Sequence, residues 1–262
     1  MMTEVLRGKT ALITGASSGL GVDFARQLAA YGCDLILVAR RLDRLQELQA
    51  EISALYGVSI DCRAMDLVEP DAPQRLYEQL QSAGRRVDIL FNNAGRGLYG
   101  KLWTQPWDQL YHMLELDMVV LTQMTRLFAA DMVTRKFGYI LQVASTGAFQ
   151  PTPTYAAYAA AKSYVLNFGE ALHYELRQTG VTCTVLCPGV TRTEFFEVAG
   201  QTPTPYQRST MMDSATVARI GITAMLQGRS SVVVGWLNSI LALGTRLLPR
   251  QVSAAIAHRL IG

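Results

Sequence analysis

Short runs of apolar or β-branched residues alternate along this chain with longer amphipathic stretches, and that alternation constrains the fold more than any other feature. Strands are predicted at 10–14, 33–39, 58–64, 87–92, 139–144, 181–186 and 231–234. Most of these runs are continuously apolar, as expected where both faces of a parallel sheet are covered. Helical patterns fall between them at 19–31, 41–55, 74–81, 106–135, 155–178 and 214–227. Repeated strand–helix units with right-handed crossovers imply an α/β fold, a doubly wound parallel sheet of about seven strands with helices on both faces. The 262 residues, 50% hydrophobic, suffice for one such domain with a large core. Residues 1–236 are read as that domain and 237–262 as an apolar, basic helical tail. The segment 189–212 lacks periodicity and reads as a long irregular loop, a length that usually has a functional reason or is mobile.

Charge and reactive side chains narrow the function. Lys and Arg number 24 against 21 Asp and Glu, with no basic run, so nucleic-acid binding has little support. Cys33, Cys62, Cys183 and Cys187 lie in or beside predicted strands rather than at disulfide spacings. With no signal-like segment before Gly8, they read as reduced core residues of a cytoplasmic protein. None of the three histidines stands near a Cys or carboxylate pair at ligand spacing, so no metal is expected.

The turn TGASSGLG at 14–21 falls between the first predicted strand and the first helix. Gly15, Gly19 and Gly21 let the backbone turn tightly and approach a pyrophosphate lying on the helix N-terminus. An acidic residue at the end of the second strand would suit the ribose of NAD, but Ala39, Arg40 and Arg41 stand there, with Ser17 and Ser18 in the turn. A guanidinium suits a 2′-phosphate, so NADP is the expected cofactor; otherwise the arginines merely start a surface helix. Asp66 and Leu67 close the third strand near an adenine, or Asp66 is a helix cap. In NNAG at 92–95, small residues permit close approach to a cofactor and Asn92 can tie neighbouring strands, although Asn93 and Gly95 are also ordinary turn residues. Further along, Tyr158 and Lys162 stand four apart in an Ala-rich helical stretch, thirteen residues after Ser145. Residues at i and i+4 share a helix face, and an ammonium there would draw the phenol pKa down from about 10 towards the working range. Alone, such a pair is more often a half-buried Tyr with a solvated Lys.

Together, TGxxxGxG at 14–21, NNAG at 92–95, Ser145, YxxxK at 158–162 and Pro188-Gly189 resemble the short-chain dehydrogenase/reductase family over residues 8 to about 235. The resemblance implies a Rossmann-type oxidoreductase moving hydride between NADP(H) and a carbonyl or alcohol, assembled as a homodimer or homotetramer. Tyr158 would be the general acid or base, Ser145 would orient the substrate oxygen, and Lys162 would bind the nicotinamide ribose. Gly15, Ser17, Ser18, Gly19, Leu20 and Gly21 would form the phosphate turn, and Arg40 would meet the 2′-phosphate. Asp66, Leu67, Asn92, Ala94 and Gly95 would surround adenine and ribose, and Pro188, Gly189, Thr191 and Thr193 would close over the nicotinamide. One position departs: where the family commonly has a water-holding asparagine, this chain has Asp117, which either holds that water or only packs its helix. Tyr155, seven residues from Lys162, is the rival phenol. A catalytically weak NADP-binding sensor or scaffold is the alternative function, with Asp117 its only support.

Substrate contacts are expected from 96–102, 146–150 and 189–212, which supply Phe149 and Phe195 among other apolar side chains; they suit a lipophilic ketone, aldehyde or 3-oxoacyl compound. In the tail, no charge appears from Ser230 to Thr245, after which Arg246, Arg250 and Arg259 interleave with Leu247, Leu248, Ile256 and Leu260. The uncharged stretch is too short to span a bilayer. Two readings remain: a helix packed on the substrate pocket or a neighbouring subunit, or a basic amphipathic segment on a membrane surface.

Overall fold

The computed structural model describes residues 4–261. Seven strands, β1 (Thr10–Thr14), β2 (Asp34–Ala39), β3 (Ile60–Ala64), β4 (Ile89–Asn92), β5 (Gly138–Val143), β6 (Val181–Cys187) and β7 (Ser231–Val233), form one parallel sheet in the order β3-β2-β1-β4-β5-β6-β7. The doubly wound sheet read from the sequence is therefore present, with strand limits shifted by one or two residues. Alternate residues point to opposite faces. Ala11, Ile13, Leu35 and Leu37 pack beneath α1 (Leu20–Ala30) and α2 (Leu42–Tyr56), while Leu12, Ile36, Val38 and Leu90 pack on the other side. That second side is covered by α3 (Ala72–Ser82) and by a long helical segment through Leu76, Leu80, Phe128 and Met132. Both faces of the inner strands are covered, which is why those strands read as apolar runs rather than alternating ones.

The long segment departs from the single helix expected at 106–135. It comprises α4 (Trp107–Leu114), a wider π-helical stretch (Glu115–Val120) and α5 (Leu121–Arg135). The wider turn changes the phase of the side chains, and it turns Asp117 into the fully buried interior. After it come α6 (Ala156–Glu175), α7 (Phe195–Ala199), α8 (Pro205–Ser209) and α9 (Ser214–Leu226). The segment expected to be irregular thus contains two short helices. A capping box starts α8: the Thr204 hydroxyl accepts from the Gln207 amide N–H and the Gln207 side chain accepts from the Thr204 N–H. The tail forms α10 (Trp236–Gly244) and α11 (Arg250–Ile261).

Strand order places a crevice where β1 and β4 diverge to opposite sides, the position at which doubly wound sheets bind ligands. The turns after β1 and β4 are bolted together there. Thr14 Oγ1 accepts from the amides of Asn93 (3.0 Å) and Ala94 (2.9 Å), and Asn93 Nδ2 donates to Thr14 O at 2.9 Å.

Candidate active site

A cavity of about 490 Å³ runs along the C-terminal ends of the strands. At one end it is lined by Gly15, Ser17, Ser18, Gly19 and Leu20 from the first turn, then by Arg40, Arg41, Asp66, Leu67, Ala94 and Gly95. Gly15 has φ +66°, and a Cβ there would sit 2.9 Å from Ala94 Cα. At Gly95 a Cβ would sit 2.9 Å from Asp117 Oδ1 and 3.1 Å from Lys162 Nζ. This bare backbone beside arginines is a cradle for a phosphate-bearing ligand, and a nicotinamide dinucleotide suits its donor set.

The other end holds the proposed chemistry. Ser145, just beyond β5, accepts from the Gly147 N–H at 3.1 Å, and the Thr146 N–H donates to Pro188 O at 2.8 Å, joining the loops after β5 and β6. Tyr158 projects from α6 into the cavity wall beside Ser145. Its pKa is pushed well above that of an ordinary phenol, first by burial and second by the Asp117 charge, with the Ser145 hydrogen bond pulling down. Lys162, one turn further and 5% exposed, lies 5.7 Å from the Tyr158 ring centroid and donates to Val143 O at 3.1 Å. The sequence suggests that Lys162 lowers the Tyr158 pKa. The structure shows why that pull is offset: Lys162 Nζ faces Asp117 Oδ2 at 3.1 Å, so a carboxylate accompanies the ammonium. Burial raises the pKa of Asp117 itself, against the stabilising pull of Lys162. Asp117 Oδ1 accepts from the Arg96 N–H at 3.1 Å.

The rival phenol is committed elsewhere. Tyr155 Oη donates to Gln201 Oε1 at 2.7 Å, and its ring packs against Tyr99, Tyr158 and Phe195. Gln201 Nε2 donates in turn to Ile261 O at 2.8 Å, and Thr204 Oγ1 donates to Leu260 O at 3.0 Å. The end of α11 is thereby tied over the cavity, where Val190, Phe195, Phe196, Val198 and Ile261 form an apolar wall beside Gln207.

Pro188, Gly189, Thr191 and Thr193 line the cavity as well. Three expected contacts do not. The Asn92 side chain is buried beneath the crevice, donating to Thr125 Oγ1 (2.8 Å) and Gln142 Oε1 (3.0 Å), so it ties β4 to α5 and β5 instead of lining the ligand site. Gly21 faces the protein: a Cβ would collide with Gly15 O, and its bareness serves helix-on-turn packing. Phe149 packs with Leu121, Val165 and Val185 in the cluster under α6, away from the substrate wall. Arg40 does line the cavity but is 70% exposed and reaches only Asp66, at 3.7 Å. Its neighbour Arg41 is tied inward, donating to Ser17 Oγ (3.3 Å) and Glu194 Oε2 (3.1 Å), and Arg44 also pairs with Glu194. The arginines hold the Glu194 carboxyl below the usual range, Arg44 most strongly. The sequence reading missed Glu194, Gln201, Gln207 and Ile261. Only the Thr-x-x-Gln capping signature at 204–207 was available to flag α8. The cysteines are free, and burial pushes the Cys187 thiol beneath the site up to about 12, leaving it an inert core group.

The sheet and its crevice define a Rossmann-type nucleotide-binding fold. Residues 9–203 match the family model for short chain dehydrogenases, and the chain belongs to that family. An uncharacterized oxidoreductase of Myxococcus xanthus is 29% identical over 252 residues, covering 96% of this chain and 97% of that protein. A very-long-chain 3-oxoacyl-CoA reductase of Pyrenophora tritici-repentis is 33% identical over 230 residues, 85% of this chain and 66% of its own length. Among solved structures, a short-chain dehydrogenase from Sphingobium yanoikuyae in complex with NADPH superposes with a TM-score of 0.82 at 29% identity, covering 91% of this chain and 94% of that one.

Proposed function

We propose that the protein transfers hydride between NADP(H) and a lipophilic carbonyl or alcohol, a ketone, aldehyde or 3-oxoacyl compound. The observation that carries this reading is the convergence of Ser145, Tyr158 and Lys162 where the glycine-lined crevice meets an apolar wall. A sensor or scaffold has no use for a proton donor at that junction. When bound, the nicotinamide supplies the hydride. The residues do the rest. Tyr158 Oη–H gives its proton to the carbonyl oxygen in reduction and takes it back in oxidation. Ser145 Oγ–H donates to the same oxygen and orients it, so two hydroxyls meet the alkoxide character that develops there. Lys162, held by Val143 O and Asp117, is placed to bind the nicotinamide ribose while keeping positive charge behind Tyr158. Arg41 and Arg40, with Ser17, supply the donors for a 2′-phosphate, and the NADPH-bound relative supports that choice.

Tyr158→Phe removes the proton and little else. It should cut kcat roughly a thousandfold while NADPH titration stays near wild type; Ser145→Ala should lose most activity, and Tyr155→Phe far less. Near-normal turnover of Tyr158→Phe on an NADPH-reducible ketone would sink the reading.

A further inference from the structure

The tail differs from the rest of the surface. Among the described residues no helix is long and apolar enough to cross a membrane. Yet α10, apolar almost all round, buries only Ala242. Trp236, Ile240, Leu243 and Leu247 recur at helical spacing and are 77%, 59%, 61% and 84% exposed. Leu237, Leu241 and Leu248 flank that stripe, also exposed, and Val252 and Ile256 extend it onto α11. Such a contiguous stripe on a helix is the signature of a surface made to be covered. The tail's own charge has one sign. After Asp213 the sequence has no Asp or Glu, while Arg246, Arg250 and Arg259 stand within or beside the stripe.

We propose that α10 and α11 dock the protein flat on an anionic lipid surface. An apolar stripe with a Trp at its end and arginines along it suits the boundary between acyl chains and headgroups. The arginines would meet lipid phosphates and the leucines would enter the acyl region. A second copy is the worse occupant. A two-fold contact through this face would gather two copies each of Arg246 and Arg250 into one interface, with no Asp or Glu in the tail to pair them.

The docked face is joined to the active site at two points. Asn238, on the inner side of α10, donates to Val234 O at 2.7 Å and packs on Gly189, where any Cβ would collide with its amide. At the far end of α11, Ile261 lines the cavity and its carbonyl is held by Gln201. A bilayer under the tail would therefore rest on helices that border the cavity. The docking proposal itself does not depend on the reaction assigned above.

The test uses the full chain with vesicles of phosphatidylcholine, with and without phosphatidylglycerol, read by cosedimentation. Wild type should sediment with the anionic vesicles and weakly with the neutral ones. Arg246→Gln with Arg250→Gln should weaken partitioning roughly tenfold, and high salt should do the same. Ile240→Glu with Leu247→Glu should abolish it; both side chains are exposed, so circular dichroism and NADPH titration should stay unchanged and exclude misfolding as the cause. Failure of wild type to bind anionic vesicles overturns the proposal. So does equal binding by the Ile240→Glu, Leu247→Glu protein, and so does light scattering that shows a wild-type dimer which this variant dissociates.

Discussion

The nucleotide half of the cleft is made from the ends of neighbouring sheet strands bolted to each other, whereas the substrate half is made from loop and helix side chains that hold the end of α11. In the first, Thr14 holds the amides of Asn93 and Ala94, and Gly15 lies against Ala94 with no room for a side chain. In the second, Tyr155, Gln201 and Ile261 are linked by two hydrogen bonds spanning 46 and 60 residues of sequence. Thr204 reaches Leu260 in the same way, across 56 residues. A half built from the sheet inherits the rigidity of the core. A half built from glutamines and a docked helix end can change its contents without touching the fold, which is how one scaffold comes to serve many substrates.

The hardest test of that contrast is Gly15→Val. The position requires φ +66°, and the new Cβ would press on Ala94 Cα. NADPH affinity should fall by roughly a hundredfold or more, from backbone strain plus a blocked approach. Fluorescence titration of NADPH measures it. Affinity close to wild type would mean that the turn is far more pliable than a core-locked element should be.

Next in size is the 2′-phosphate. Arg41 is already oriented by Ser17 and Glu194, whereas Arg40 is exposed and weakly placed. Arg41→Ala should therefore cost about tenfold in NADPH affinity with NADH nearly unchanged, since a hydrogen bond to a charged group contributes about 1.5–3 kcal/mol. Arg40→Asp should also erode the preference, by a smaller factor than Arg41→Ala. Paired dissociation constants decide it, and a larger loss at Arg40 would reverse the ranking drawn from the geometry.

The same contrast explains what could be read from the sequence. The sheet, the glycine turn and the Tyr158–Lys162 pair were legible because each depends on local spacing: apolar runs, turn residues, or a shared helix face; Ser145 was legible only through the family resemblance. The resemblance placed Asn92 and Gly21 in the ligand site, and the segment after Ser145 placed Phe149 there, but none of the three lines the cavity. Asn92 instead ties neighbouring strands, its other reading, because direction at a strand end or turn is set by packing. The π-helical stretch was hidden because its sequence, ELDMVV, carries no signal of a wider turn; its effect is to bury Asp117 opposite Lys162. The clamp of Arg41 and Arg44 on Glu194, and the hub at Gln201, are long-range pairings that carry no periodic signal.

A milder test reaches the substrate half. Gln201 is buried, and its amide serves both Tyr155 Oη and Ile261 O. Gln201→Leu strands both of these and Gln207 Nε2, which donates to the Gln201 amide oxygen at 3.3 Å, costing about 1–3 kcal/mol of local stability. The expected result is a KM for a lipophilic ketone raised several-fold, with kcat and NADPH affinity close to wild type. An equal loss in kcat would show that Gln201 supports Tyr158 rather than the wall and the end of α11.

The smallest expected effect lies where the two halves meet. Asp117 is fully buried beside Lys162, and its charge is the second cause of the high Tyr158 pKa after burial. Raising that pKa keeps the phenol protonated through neutral pH, which favours reduction; oxidation needs the phenolate and should climb as the medium becomes alkaline. Asp117→Asn removes the negative charge. It also leaves the Lys162 ammonium, still tied to Val143 O, without a neutralising partner near the Tyr158 ring. Both changes favour phenolate, so the alkaline limb of the oxidation profile should move to lower pH while NADPH affinity holds. Two pH–rate profiles with one alcohol substrate read the shift. A limb that stays in place would mean Asp117 serves only to seat Lys162 and the Arg96 amide, and a limb that moves to higher pH would mean the buried pair acts mainly by keeping Lys162 charged.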